Sequence, residues 1–221
     1  IDAGTSTGAP AADQRGTARS GGVDIGAYEF VPFPFAYTVT NLSGALILGS
    51  LRNGVVFANS TCATTTIDFA VAGTIDLGGV GLDLASNITI IGPTTGALTI
   101  TGGGVTPFTV AAGKVASISN LTITGGSGGF GGGIENSGTL ALANITVTGN
   151  SATFGAGIDN APGATLTAVN CTVSGNTASS LGGGITNQGA LTLTHCTVAK
   201  NSAPSAGGIA AISGTTTIDN T

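Results

Sequence analysis

Three short strings recur in fixed order along the second half of this chain, and their spacing constrains the fold more than any other feature. The first is Gly-Gly-Ile or a near variant, at Gly132-Gly133-Ile134, Ala156-Gly157-Ile158, Gly183-Gly184-Ile185 and Gly207-Gly208-Ile209. The second is Asn-Ile-Thr-Val, at Asn144 to Val147, with relatives at Asn120-Leu121-Thr122-Ile123, Asn170-Cys171-Thr172-Val173 and His195-Cys196-Thr197-Val198. The third reads Gly149-Asn150-Ser151-Ala152, Gly175-Asn176-Thr177-Ala178 and Lys200-Asn201-Ser202-Ala203. A period of about 25 residues is the signature of a repeat architecture in which each unit buries its apolar face against the next.

Within a unit the apolar positions alternate as they do on a strand. Leu140 and Leu142 share one face, and after Ala143-Asn144 the alternation resumes with shifted parity at Ile145 and Val147. The parity shift marks a corner between short strands, and Ile134 belongs to a further strand beyond the glycines. Glycine density and the Thr/Val content exclude helix here. The expected fold is all-β: a right-handed parallel β-helix, with equivalent residues stacked about 4.8 Å apart.

Stacking predicts ladders. Asn136, Asn160 and Asn187 form one, Asn150, Asn176 and Asn201 a second, and Asn120, Asn144 and Asn170 a third at corners where asparagine tolerates a left-handed backbone. Leu121, Ile145, Cys171 and Cys196 form an apolar ladder inside, so both cysteines read as small buried hydrophobes. In-register stacking brings them close enough for a disulfide, but parallel side-chain vectors suit one poorly, and free thiols are expected.

Charged residues make up only 7% of the chain, against about 25% in an ordinary domain, so the solvent face must consist of Thr, Ser, Asn and Gly. With a net charge of −5 and no Lys/Arg cluster, nucleic-acid binding is not expected. No apolar run is long enough to span a bilayer. Ile1 stands where an initiator Met would, which reads as a processed product or a piece of something longer.

The layout divides into an N-terminal extension over 1–30, an aromatic and proline connector over 31–37, a cap region over 38–74 and coils over 75–221. Ser50 is placed to N-cap a short helix, Leu51 to Asn59, with Leu51, Val55 and Ala58 at helical spacing. Strands are expected near Thr66 to Phe69 and Gly73 to Leu77. Tyr28, Phe30, Phe33, Phe35 and Tyr37 make a hydrophobic contact patch. The charged residues Asp2, Asp13, Arg15, Arg19, Asp24 and Glu29 read first as local ion pairs and second as a docking surface.

Several of these strings resemble a known group. Ile1-Asp2-Ala3-Gly4, Asp13-Gln14-Arg15-Gly16 and Asp24-Ile25-Gly26-Ala27-Tyr28-Glu29 resemble the terminal motif of bacterial choice-of-anchor surface proteins. The Gly-Gly-Gly-Ile, Asn-x-Gly-x-Leu and Thr-Val-Ser-Gly-Asn strings are similar to polymorphic outer-membrane protein repeats. Ser50-Leu51-Arg52 and Ile67-Asp68-Phe69 resemble the start of such a β-helix, where a helix caps the first coil. The resemblance implies an extracellular or cell-surface location and is silent on activity. In that group the Asp-Ile-Gly-Ala-Tyr-Glu motif closes a module, whereas here it stands near the start.

That departure leads to the expectation of a non-enzymatic, head-to-tail filament or surface stalk. Residues 1–30 would complete the open end of a neighbouring copy through Ile1, Asp2, Asp13, Arg15, Arg19, Asp24, Tyr28, Phe30, Phe33, Phe35, Tyr37 and Ile218. The alternative reading is a window cut from a tandem array. A carbohydrate-binding adhesin would use Phe108, Phe130 and Phe154, although Phe130 and Phe154 are placed to stack on each other. An ice-binding face would use Thr122/Thr124 and Thr146/Thr148, an array that decays at Thr172/Ser174 and Thr197/Ala199. A polysaccharide-degrading enzyme would need paired carboxylates or a basic residue with Ca²⁺. Glu135 and Asp159, on adjacent coils, are the best candidate pair, read here as solvated, with a shared Ca²⁺ or catalysis as lesser alternatives. His195 replaces an asparagine of the corner ladder and is read as structural. No cofactor is expected.

Overall fold

The computed structural model describes residues 35–61 and 63–221. The extension over 1–30, and with it Ile1, Asp2, Asp13, Arg15, Arg19, Asp24, Tyr28, Phe30 and Phe33 of the expected interface, lies outside the described residues, as does Cys62.

The alternation of small, β-branched and glycine residues produces strands of three to ten residues, and every strand pairing is parallel. They form three sheets, and the second has six strands, one per turn of a right-handed parallel β-helix. One coil illustrates the path. Ile134–Asn136 lies in the second sheet, Thr139–Thr148 crosses the large first sheet, and Ser151–Phe154 lies in the short third sheet before Ile158–Asn160 begins the next coil.

The parity shift is where the alternation places it. In Thr139–Thr148 the inward residues are Leu140, Leu142, Ile145 and Val147, and Asn144 between them has φ of 55°. Asn120, Asn170 and His195 take the same left-handed conformation in their coils, as does Asn220. Asparagine is the residue other than glycine that visits this region most readily, because its short side chain bonds locally.

Register carries the core. Ile134, Ile158, Ile185 and Ile209 stack in one column, and Val147, Val173 and Val198 in another. The interior is almost wholly aliphatic, with Phe108 its largest fully buried side chain. Burying each such Ile or Leu is worth about 1.5–3 kcal/mol, which is why a chain with so few charges still folds.

Coil length varies without disturbing these columns. Two residues separate Asn136 from Thr139 but four separate Asn160 from Thr165, and the register also slips by one between Ala152/Ala178 and Phe154/Leu181. The residues added after Asn160 sit at a corner, where Gly163 turns with φ of 77°, whereas the slip is a bulge within the third sheet, between Ser151–Phe154 and Thr177–Leu181.

The helix spans Leu51–Asn59 and Ser50 caps it, its side chain accepting from the Asn53 amide at 3.1 Å. Leu51, Val55 and Ala58 face the core. Gly54 is required where it stands, since a Cβ there would come within 2.7 Å of the Tyr37 ring. One boundary needs correction. Phe35–Val39 is not part of a connector but a strand, in register with Thr65–Phe69 as the first strand of the large sheet.

The two buried ladders form as the repeat predicts. Asn136 donates to Asn160 at 2.8 Å and Asn160 to Asn187 at 2.7 Å, while Asn150 donates to Asn176 at 3.0 Å and Asn176 to Asn201 at 2.9 Å. The corner ladder is solvent-facing, with Asn144 donating to Asn120 at 3.0 Å. The two kinds of rung should therefore respond differently to substitution. Asn160→Ala, which strips a partner from both neighbours in the buried stack, is expected to cost about 2–4 kcal/mol. Asn144→Gly, which keeps the left-handed backbone, should cost less than about 1 kcal/mol; chemical denaturation of both variants measures the difference.

Candidate functional sites: the acidic face and the ends of the solenoid

On the outward face of the second sheet, register places Asp83, Thr109, Glu135, Asp159 and Thr186 in one row. Alternation puts them there, because the residues on either side, such as Ile158 and Asn160, point inward. Cover increases along the row: Asp83 is exposed, Thr109 and Glu135 are half-buried, and Asp159 and Thr186 are buried. The turns that close the third sheet fold back onto it, so that a Cβ on Gly131 would lie 2.7 Å from the Cα of Glu135 and one on Gly155 2.9 Å from the Cα of Asp159. Positive φ values of 57° and 58° make glycine the residue for both turns.

This overturns the expectation of a solvated acidic pair. Glu135 is half-buried and Asp159 is only 4% exposed. Oδ1 of Asp159 is buried without any hydrogen-bond partner. Burial first, and the neighbouring Glu135 second, push the Asp159 carboxyl up to about 6. Glu135 is also raised, by burial and then by Asp83. Among the described residues no group of three His, Cys, Asp or Glu side chains converges on one point.

Beside this row, Phe130 and Phe154 stack with ring centroids 5.3 Å apart and planes 17° from parallel, as their positions in consecutive turns anticipate. Phe108, the third aromatic considered for carbohydrate, is fully buried and offers no surface. The threonine columns of the first sheet start one coil earlier than the repeated strings show, because Thr99 and Thr101 pair with Thr122 and Thr124. Their side chains are half-buried rather than presented as an open face. Cys171 and Cys196 are buried free thiols, and burial raises the Cys171 thiol to about 11. His195 sits in the corner column, 3.5 Å from Asn220.

The two ends of the described solenoid differ. At the first, the helix lies over the core, and Arg52 at its start satisfies backbone carbonyls that would otherwise be stranded. Its Nε donates to Gly44 at 2.7 Å, Nη1 to Gly81 at 2.9 Å, and Nη2 to Leu77 at 3.1 Å and to Val80. The sequence places Arg52 in the Ser50-Leu51-Arg52 string that resembles the start of a β-helix, with no hydrogen-bonding role assigned to it. Two residues of the expected interface also belong to this cap. Tyr37 packs under Gly54 and donates to Asn53 at 2.7 Å, while Phe35 meets Phe57 edge to face at 5.7 Å. Tyr37 is thereby engaged within the chain, whereas Phe35 remains 37% exposed.

At the other end, Thr215–Asp219 pairs with Ala190–Thr194 on one side and has no strand on its other side among the described residues. Ile212 and Ile218 are each 51% exposed there. No family model, curated protein or solved structure matches the chain.

The acidic row sets a pH dependence. The folded carboxyl of Asp159 titrates above its unfolded value of about 3.8, so its protonation favours the fold fully below that value, and the benefit is lost as pH rises through about 6. In chelator, Asp159→Asn should therefore be more stable than the parent at pH 7.5, by about 1–3 kcal/mol, with the gap closing toward pH 4. Urea unfolding at both pH values measures it. The thiols give a second expectation: a native-state maleimide assay at pH 7.5 should label Cys171 and Cys196 slowly, and denaturant should expose both.

Proposed function

We propose that this chain is a non-enzymatic structural element of an extracellular fibre or surface stalk, extended by adding a further parallel coil to its last one. The observation that carries the reading is the unbroken coil-on-coil register, which stacks like residues in columns through the whole described solenoid. Its first coil is covered by a helix and by an arginine that satisfies four carbonyls. Phe35–Val39 and Thr215–Asp219, the outermost strands of the large sheet, each pair on one side only among the described residues, with Phe35 and Ile218 partly exposed on them. A strand with one free edge is a template for another strand, and exposed apolar residues on it favour coverage.

In the filament form of this proposal a second copy supplies the covering coil, and residues 1–30 are the segment that completes it. The resemblance of that segment to a module-closing motif supports the assignment, as does a surface of threonine, serine and asparagine with few charges. Asp159 is closed off under the Gly155 turn, which leaves the acidic pair poorly placed to flank a polysaccharide and favours a structural over a catalytic role. A carbohydrate-binding role draws support from one feature only, the exposed Phe130 at the start of its stack.

Negative-stain microscopy and sedimentation of the purified chain test the filament. Fibres with an axial repeat of one subunit are expected, and Ile218→Lys, which places a charge on the open edge, should abolish them while leaving the circular dichroism unchanged. A parent chain that stays monomeric at high concentration overturns the proposal.

A further inference from the structure

The covered acidic row has no structural explanation in the fold. A repeat protein free to use threonine at every outward rung, as it does at Thr109 and Thr186, instead places carboxylates at Glu135 and Asp159 and then folds a glycine turn over them. Among the described residues, the only charged groups that perturb either carboxyl are further acids, Glu135 acting on Asp159 and Asp83 acting on Glu135. An ionised, 96%-buried side chain with an orphaned oxygen is costly unless a proton or a cation meets it.

We propose that Glu135 and Asp159 together hold a hard divalent cation of the Ca²⁺ type, seated between two adjacent rungs and completed by water. Three arguments support it. The orphaned atom is Oδ1 of Asp159, a buried acceptor on the face it shares with Glu135. The donors are all oxygens, the preference of hard cations, and a carboxylate pair excludes none of the coordination that water supplies. The ion's own demands also favour Ca²⁺: it tolerates irregular oxygen sets at about 2.3–2.6 Å, whereas Mg²⁺ requires near-octahedral geometry at about 2.0–2.1 Å and dehydrates reluctantly. Glu135, half-buried where Asp159 is closed, marks the side from which the ion enters.

Two protein carboxylates place the affinity among weak extracellular sites, with Kd of about 0.1–1 mM. The ion would lock the second sheet to the turns of the third, independently of what covers the open end of the solenoid. The test uses the whole chain at pH 7.5 and constant ionic strength. Thermal unfolding in chelator is compared with unfolding in 10 mM CaCl₂ or 10 mM MgCl₂, alongside calorimetric titration with CaCl₂. The expected result is a rise in Tm of about 3–8 °C in Ca²⁺, a smaller rise in Mg²⁺, and no Ca²⁺ response in Asp159→Asn or Glu135→Gln.

Both variants are close in shape to the parent, and circular dichroism establishes that they fold. If Glu135→Gln does not fold, Asp159→Asn with the parent titration decides alone. A parent Tm indifferent to Ca²⁺, or one that rises only when the pH falls through 6, assigns the pair to proton sharing and overturns the proposal. A Ca²⁺ response that persists in both variants overturns it equally, by placing the ion elsewhere.

Discussion

Parallel pairing at a fixed rung spacing is the constraint on which everything else in this molecule depends. A strand hydrogen-bonded in parallel register to its successor puts like over like, so each side chain meets copies of itself above and below. Aliphatic residues profit from that arrangement by filling one continuous interior. Asparagine profits in another way, because its amide donates to one neighbour while its carbonyl accepts from the other. The Asn136 and Asn150 columns are buried and their amides also satisfy corner carbonyls, as Asn176 does for Val147 and Ser174. Carboxylates gain nothing from self-stacking, since neither can donate when ionised and like charges repel. The ladder that holds the fold together is therefore the same rule that makes Glu135 over Asp159 an anomaly.

What was legible in the sequence followed from repetition. Gly-Gly-Ile, Asn-x-Thr-Val and Gly-Asn recur, so the parallel solenoid, the left-handed corner and the column memberships could be read without coordinates, whereas the short third sheet at Ser151–Phe154 was not foreseen. The short helix was legible for a local reason: Ser50 stands immediately before apolar residues at helical spacing. His195 was legible because its place in the column was known before its chemistry was asked about.

The failures share a cause, which is the absence of a repeat to read from. Phe35–Val39 lies beyond the repeated strings, and its flanking prolines and aromatics describe a stiff connector as well as they describe a strand. Only pairing with Thr65–Phe69 distinguishes the two, and that partner is 30 residues away. Arg52 likewise acts on carbonyls 25 to 29 residues distant, which no local pattern encodes. The burial of Asp159 depends on the path of the Gly155 turn across the face of a neighbouring sheet. Alternation correctly assigned that face as outward; it carried no information about whether something lay on top of it.

The uneven corners have an evolutionary meaning. In a strand, one added residue would turn every following side chain to the opposite face and destroy the interior. Here the extra residues between Asn160 and Thr165 are absorbed at a bend, and the columns resume as if nothing had been added. Length changes are thus tolerated at the bends and at the bulge of the third sheet, and lethal along the straight segments of the first. Such a solenoid can drift in sequence and acquire loops at its edges across generations while its interior stays fixed, and those bends are where a designer would graft foreign peptides.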